Sequence, residues 1–168
     1  MNRTNSRLDR IDHHILAVLS RDGRTSFTDL GRECGLSVSA AQQRVRRLEQ
    51  RGVITGYAAH INAAALNRTL TALISIRVLR ADQDELIRGF IEDCPEIVTC
   101  YSVAGEANYV VTALVGTTIE LEALINQFRH TAEVITTTTV VLNTVIADRP
   151  LLNSPLDFLE DSDSAATD

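Results

Sequence analysis

Apolar positions recur with helical spacing through the first fifty residues. Leu8, Ile11, Ile15, Val18 and Leu19 gather on one side when each residue turns by about 100°, and Asp9 stands where an N-cap belongs. This segment, Leu8 to Ser20, is predicted to be helical, with Gly23 just past its end. A second, shorter helix is predicted from Ser26: Ser26 and Asp29 have the spacing of a capping box, and Phe27, Leu30 and Cys34 make one apolar stripe. Gly35 supplies the positive φ of a tight turn. A third helix is predicted from Ser37 to about Arg51, with Gly52 as its stop. Val38, Ala41, Val45 and Leu48 share one of its faces, while Ser39, Ala40, Gln43, Arg46, Arg47 and Gln50 share the other.

The pattern then changes. Val53, Ile54, Tyr57 and Ile61 read as a strand or extended connector, and residues 62–68 as the hinge. Beyond it strands and helices alternate. Ala72, Ile74, Ile76 and Val78 line one face of a strand, with Ser75 and Arg77 on the other. Asp82 and Glu85 have capping-box spacing ahead of a helix carrying Leu86, Ile87, Phe90 and Ile91, which Pro95 closes. Strands are predicted from Val98 to Ala104 and from Tyr109 to Val115, joined by the turn Gly105 to Asn108. Thr117 and Glu120 cap a helix with Leu121, Leu124, Ile125 and Phe128, and Val134 to Leu142 is a last, β-branched strand. The order βαββαβ is that of a ferredoxin-like split sheet.

The chain is therefore α+β. Its expected parts are a helix-turn-helix domain (residues 1–55), a connecting strand or hinge (56–70), a βαββαβ domain (71–149) and an acidic flexible tail (150–168). Two helices cover only one face of a sheet, yet Val103, Val110, Leu114, Ile135 and Val141 suggest apolar side chains on both faces. An uncovered apolar face marks a subunit interface, so at least a homodimer packed sheet to sheet is expected.

Charge follows the same division. The net charge of −6 argues against nucleic acid until the chain is split. Residues 1–60 carry ten Arg against six acids, a net of +4, and residues 61–168 carry six Arg against sixteen acids, a net of −10. The basic front is the part suited to phosphate. There is no Lys, and Arg favours bidentate contact with phosphate or guanine. Cys34, Cys94 and Cys100 form no CxxC pair and lie in apolar segments, so they are expected to be reduced core residues of a cytoplasmic protein. An apolar leader and a long apolar span are both missing, so no membrane partner is expected.

Three short helices with a glycine turn have the shape of a helix-turn-helix, whose third helix enters the major groove of double-stranded DNA. Close approach to base edges needs small side chains, which Ser39 and Ala40 provide, and Ser37 at the helix start joins them among the DNA-binding candidates. Gln43 or Arg46 would bond bases, and Arg44, Arg47 and Arg51 would meet phosphates. Thr25, Ser26 and Thr28 would donate to phosphate at the start of the second helix.

The stretches LDRIDHHILAVLSRDGR, LGRECGLSVSAAQQRVRRLEQRGVITGY and CYSVAGEANYVV resemble the leucine-responsive regulatory protein / asparagine-synthetase regulator (Lrp/AsnC) family, the feast-or-famine transcription regulators, over residues 8 to 149. The resemblance implies a winged-type helix-turn-helix followed by an ACT-like (RAM) domain. It also implies binding of promoter DNA as dimers, commonly assembled into octamers or other multiples of dimers. An amino acid or related metabolite, rather than a cofactor, is the implied allosteric effector. The family's effector cleft maps to Tyr101, Ser102, Gly105, Glu106 and Asn108, with Thr136, Thr137, Thr138 and Thr139 as a second wall. The family usually has Asp where this chain has Asn108. Weaker binding, Glu106 as a substitute anion, or a different effector are the open consequences.

Catalysis is not expected. His13 and His14 are adjacent and point about 100° apart on a helix, His60 and His130 are isolated, and no HExxH, P-loop or GxSxG pattern occurs. Metal ligands are not expected either. A second reading stays open, an effector-independent architectural protein that coats DNA. Asp157, Glu160, Asp161 and Asp163 of the tail would compete with DNA for the Arg face, although a solvated tail is the simpler reading.

Overall fold

The computed structural model describes residues 8–147 and 149–152; the acidic stretch from residue 153 onward lies outside the described residues. These residues divide into two compact units, one holding residues up to Ala59 together with those from Ile146, the other spanning His60–Val145.

The first unit contains α1 (Arg10–Arg21), α2 (Phe27–Cys34) and α3 (Val38–Gln50). Helices this short are marginal alone in water; α1 and α2 begin at their expected caps, and α3 begins behind Ser37. Asp9 Oδ1 accepts from the Asp12 N–H at 2.8 Å while the Asp12 carboxylate accepts from the Asp9 N–H, a reciprocal capping box. Ser26 and Ser37 accept from the Asp29 and Ala40 N–H groups. The turn into α3 depends on two glycines. Gly35 has a φ of 67°, in the left-handed region. Gly31 is buried where the chain folds back, and a Cβ there would stand 2.8 Å from the Leu36 carbonyl oxygen.

Ile15, Val18, Leu30, Ala41, Val45 and Leu48 form the core of this unit. Val38, which shares their face by spacing, is 48% exposed, because it opens α3 one turn beyond the packed stretch. Residues 55–62 form neither helix nor strand, so of the two readings of this stretch, strand or extended connector, the connector is the one that the described residues show. A lone extended segment has no ladder partner there. A 3-10 turn, Ala63–Leu66, follows and ends at Asn67 with a φ of 58°.

The second unit runs β1 (Leu70–Val78), α4 (Asp84–Asp93), β2 (Ile97–Ser102), β3 (Tyr109–Val115), α5 (Thr118–Thr131) and β4 (Val134–Val141). The sheet order is β2-β3-β1-β4 and every pair is antiparallel, the split arrangement anticipated from the element order. Registers Ile76↔Tyr109, Ile74↔Val111 and Ala72↔Ala113 put these residues on the face covered by α4 and α5, around Phe128. Phe128 meets Phe90 edge to face at 4.9 Å between centroids. The opposite face shows Leu73, Tyr101 and Ile135, all partly exposed.

One expected cap does not form. α4 starts at Asp84 behind Gln83 with no side-chain cap, because residues Ala81–Gln83 make a 3-10 turn of their own. Asp82 instead receives both the Nε and Nη2 groups of Arg80. At α5 the expected cap is present, with Thr117 accepting from the Glu120 N–H.

Candidate nucleic-acid interface and effector cleft

α3 presents Ser39, Gln43, Arg46, Arg47 and Gln50 on its exposed side, with Ala40 and Arg44 half-buried among them. Ala40, Gln43, Arg44 and Arg47 border a shallow concavity of about 230 Å³. Gln43 and Arg46 lie one turn apart and, among the described residues, have no bonding partner. The side chain of Ala40 is small enough for a base edge to approach the helix there.

Arg44 and Arg47 are differently placed from the phosphate contacts expected of them. Arg44 Nη1 donates to Asp9 Oδ2 at 2.6 Å and to Asp12 Oδ1 at 2.8 Å. Arg47 Nη2 donates to both Asp12 oxygens, at 3.1 and 2.9 Å. Asp12 has no exposed surface, and the sequence reading did not single it out. The hydrogen bond that Arg44 donates to Asp9 holds the Arg44 guanidinium above its usual pKa, with burial acting against that shift. For Asp9, burial pulls the carboxyl upward, but the bonds from Arg44 and the Asp12 N–H outweigh it and hold it below the ordinary value.

The other expected contacts sit at helix ends. Thr25 Oγ1 donates to the Asp22 carbonyl at 2.8 Å and Ser26 Oγ to the Asp29 carboxylate at 2.6 Å. Ser37 Oγ lies 3.2 Å from Ser39 Oγ. Arg51 is the C-cap of α3, its N–H donating to the Arg47 and Glu49 carbonyls.

In the second unit a cleft of about 610 Å³ opens on the uncovered face of the sheet beside the β2–β3 hairpin. Ser75, Arg77, Val103, Gly105, Glu106, Ala107, Ile135 and Thr137 line it. Gly105, Glu106 and Thr137 of the expected set meet there. Tyr101 and Thr139 share that sheet face without lining the cleft, whereas Ser102, Thr136 and Thr138 pair on the helix-covered side. The four threonines alternate because successive strand side chains point to opposite faces.

Asn108 turns toward β1 instead of this cleft. Its N–H donates to the Ile76 carbonyl at 2.8 Å, and its Oδ1 accepts from the Val78 N–H at 2.8 Å, so a side chain extends the β1–β3 ladder by one bond. Asn108 borders a second cleft of about 360 Å³ with Val78, Arg80, Ala81 and Asp84. Close by, Tyr109 donates to Asp84 Oδ1 at 2.7 Å and accepts from Arg88 Nε at 2.9 Å, tying the start of α4 to β3.

The cysteines are free. Cys94 is buried and Cys34 partly so, but Cys100 is exposed on the edge strand β2, against the expectation of a core position. Burial raises the pKa of all three, which keeps them as thiols.

Residues 8–49 match the family model for the AsnC-type helix-turn-helix domain, and residues 71–151 that for the Lrp/AsnC ligand binding domain. The HTH-type transcriptional regulator LrpA of Mycobacterium tuberculosis is 43% identical over 145 residues, which span 86% of this chain and 97% of that protein. The chain belongs to the Lrp/AsnC family. A solved feast or famine regulatory protein of Mycobacterium tuberculosis, complexed with L-methionine, superposes on this Lrp/AsnC chain with a TM-score of 0.81 at 42% identity, covering 87% of this chain and 99% of that one. A transcriptional regulator of Neisseria meningitidis, also an L-Met complex, gives a TM-score of 0.82 at 25% identity over 91% and 99% of the two chains. The Lrp/AsnC helix-turn-helix match covers α1, α2 and nearly all of α3, and the ligand-binding match contains both clefts. Among the described residues no group of His, Cys, Asp or Glu could hold a metal ion, and no helix is long and apolar enough to cross a membrane.

Proposed function

We propose that this Lrp/AsnC transcriptional regulator reads specific promoter sequences through α3, works as a dimer or a multiple of dimers, and is adjusted by an amino acid bound beside the β2–β3 hairpin. Gln43 and Arg46 supply the base-reading bonds. Arg47, Arg51 and the start of α2, with Thr25 and Ser26, supply phosphate contacts. The apolar side chains on the uncovered sheet face, Leu73, Tyr101 and Ile135, favour a second copy as the cover.

The observation that carries the effector reading is the chemistry of the large cleft. Arg77 and Glu106 line it with opposite charges, and among the described residues neither is engaged in an ion pair. A zwitterion fits that arrangement, its carboxylate toward Arg77 and its ammonium toward Glu106, with Val103 and Ile135 against an apolar side chain. Glu106 thus takes the anionic role that Asn108, spent on the ladder, does not fill. The two related proteins solved with L-methionine support the same ligand class.

A footprinting titration on DNA upstream of the protein's own gene, with and without pooled amino acids, tests this. Protection at sites in phase with the helical turn, shifted by one pool, is the expected result. Uniform coverage indifferent to every pool would instead establish the architectural reading.

A further inference from the structure

The helical unit holds a charged cluster that reaches from its surface to one buried carboxylate. Asp12 is the one charged residue buried among the described residues, with its side chain 1% exposed. Arg44 and Arg47 converge on it, and Arg44 is shared with Asp9. Two carboxylates on α1 therefore face two guanidiniums on α3, the helix that carries the DNA-facing side chains.

This pairing affects α3 in two ways. Arg44, paired with two carboxylates and three-quarters covered, is withheld from replacing counterions on phosphate, whereas Arg47, paired with Asp12 alone through Nη2 and half exposed, keeps its other donors for it. A buried carboxylate also tolerates the loss of its partners poorly, so turning α3 by a single residue, about 100°, would leave Asp12 without them. Six apolar core residues alone would tolerate repacking more readily. The cluster thus sets both the rotation of α3 and which of its cations are spent.

We propose that Asp12 is a positioning residue for DNA reading, one that holds Arg44 back from phosphate, anchors Arg47 from one side, and leaves Gln43 and Arg46 as the pair that sets sequence preference. The proposal rests on the reading of α3 as the recognition helix. Exposure agrees with it: the Arg44 side chain is 25% exposed and that of Arg47 50%. The cluster lowers indiscriminate attraction to DNA and raises discrimination between sequences.

The test uses the full-length chain and its D12N, R44Q and R46Q variants. Each is titrated at several salt concentrations on a duplex that the native chain enriches from a random pool, and on a shuffled duplex of equal composition. D12N is expected to bind the shuffled duplex about threefold to tenfold more tightly at low salt. Its log K against log salt slope should steepen by about 0.9 to 1.8, one or two added phosphate contacts. Its preference for the enriched duplex should drop about tenfold, the size of one or so mismatched base pairs. R46Q should reduce the preference with little change in slope, while R44Q should flatten the slope by less than half of the roughly 0.9 that one lost phosphate contact gives.

A parallel loss of affinity on both duplexes at unchanged slope in D12N would mean that Asp12 only supports the fold, and the proposal would be wrong. Should D12N melt before it can be titrated, the other two variants decide, since a flattening of about 0.9 by R44Q, one lost phosphate contact, overturns the withdrawal of Arg44. A native chain that enriches no sequence removes the recognition-helix reading itself, a failure visible before any variant is made.

Discussion

The helical unit buries one carboxylate in addition to a core of six apolar side chains, whereas the core of the sheet unit gathers fourteen buried residues with no charged side chain among them. The sheet has no need of such a device. Its three strand pairings fix register, and a slip of one residue would turn every covered side chain outward. A three-helix unit has no ladder between its elements, and smooth apolar ridges specify a helix rotation only weakly. Directional bonds from Asp12 to Arg44 and Arg47 supply what the sheet obtains from backbone pairing. The two units thus reach one packing each by different chemistry.

Several substitutions would break that contrast, beginning with the largest effect. Phe128→Ala removes the central side chain of the sheet core, fully buried against Phe90. It should cost the second unit about 3–5 kcal/mol, seen as a lowered calorimetric transition, while DNA-independent helical signal from the first unit survives. Gly31→Ala places a methyl 2.8 Å from the Leu36 carbonyl oxygen, and a backbone shift of that kind costs about 1–3 kcal/mol in the first unit alone. Denaturant midpoints of the two units, followed separately by hydrogen exchange, would show whether the damage stays local. Ser37→Ala deletes the N-cap of α3 and should cost about 1 kcal/mol, a smaller drop in the same midpoint.

The smallest effect is a pH dependence. Asp9 is held below its ordinary value of 3.8. Its contribution to stability is therefore complete above the unfolded value and is lost as pH falls through the lower folded one. Melting of the helical unit followed from pH 6 downward should decline in that acid range. Asp9→Asn should remove this part of the decline, and an unchanged acid limb would mean the Arg44–Asp9 bond contributes nothing measurable.

What was legible in the sequence were the features that local chemistry decides. Asp9, Ser26 and Thr117 cap as their spacing predicts, α3 opens behind Ser37, and β3 runs from Tyr109 to Val115. Capping-box spacing at Asp82 and Glu85 misled, because an intervening 3-10 turn moved the start of α4 to Asp84. That the four threonines divide between two sheet faces follows from strand alternation, but which pair faces the cleft depends on pairing with β1, more than fifty residues away in sequence. Asn108 reads as a turn former, yet its amide completes a ladder. Asp12 left a signal that went unused: Leu8, Asp12, Ile15 and Leu19 share one helical stripe, and an acid there demands a partner. Its partners lie 32 and 35 residues further on.

The central position of β1 also shapes how the chain matures. β1 pairs on one side with β3 and on the other with β4, so the sheet has no complete interior until Val141 has been synthesised. The three helices need nothing beyond Ile54 to close their core, and such local contacts form quickly. During synthesis the apolar core of the helices can therefore close while the sheet still waits for its last strand, and the first unit is complete only once the residues from Ile146 have followed.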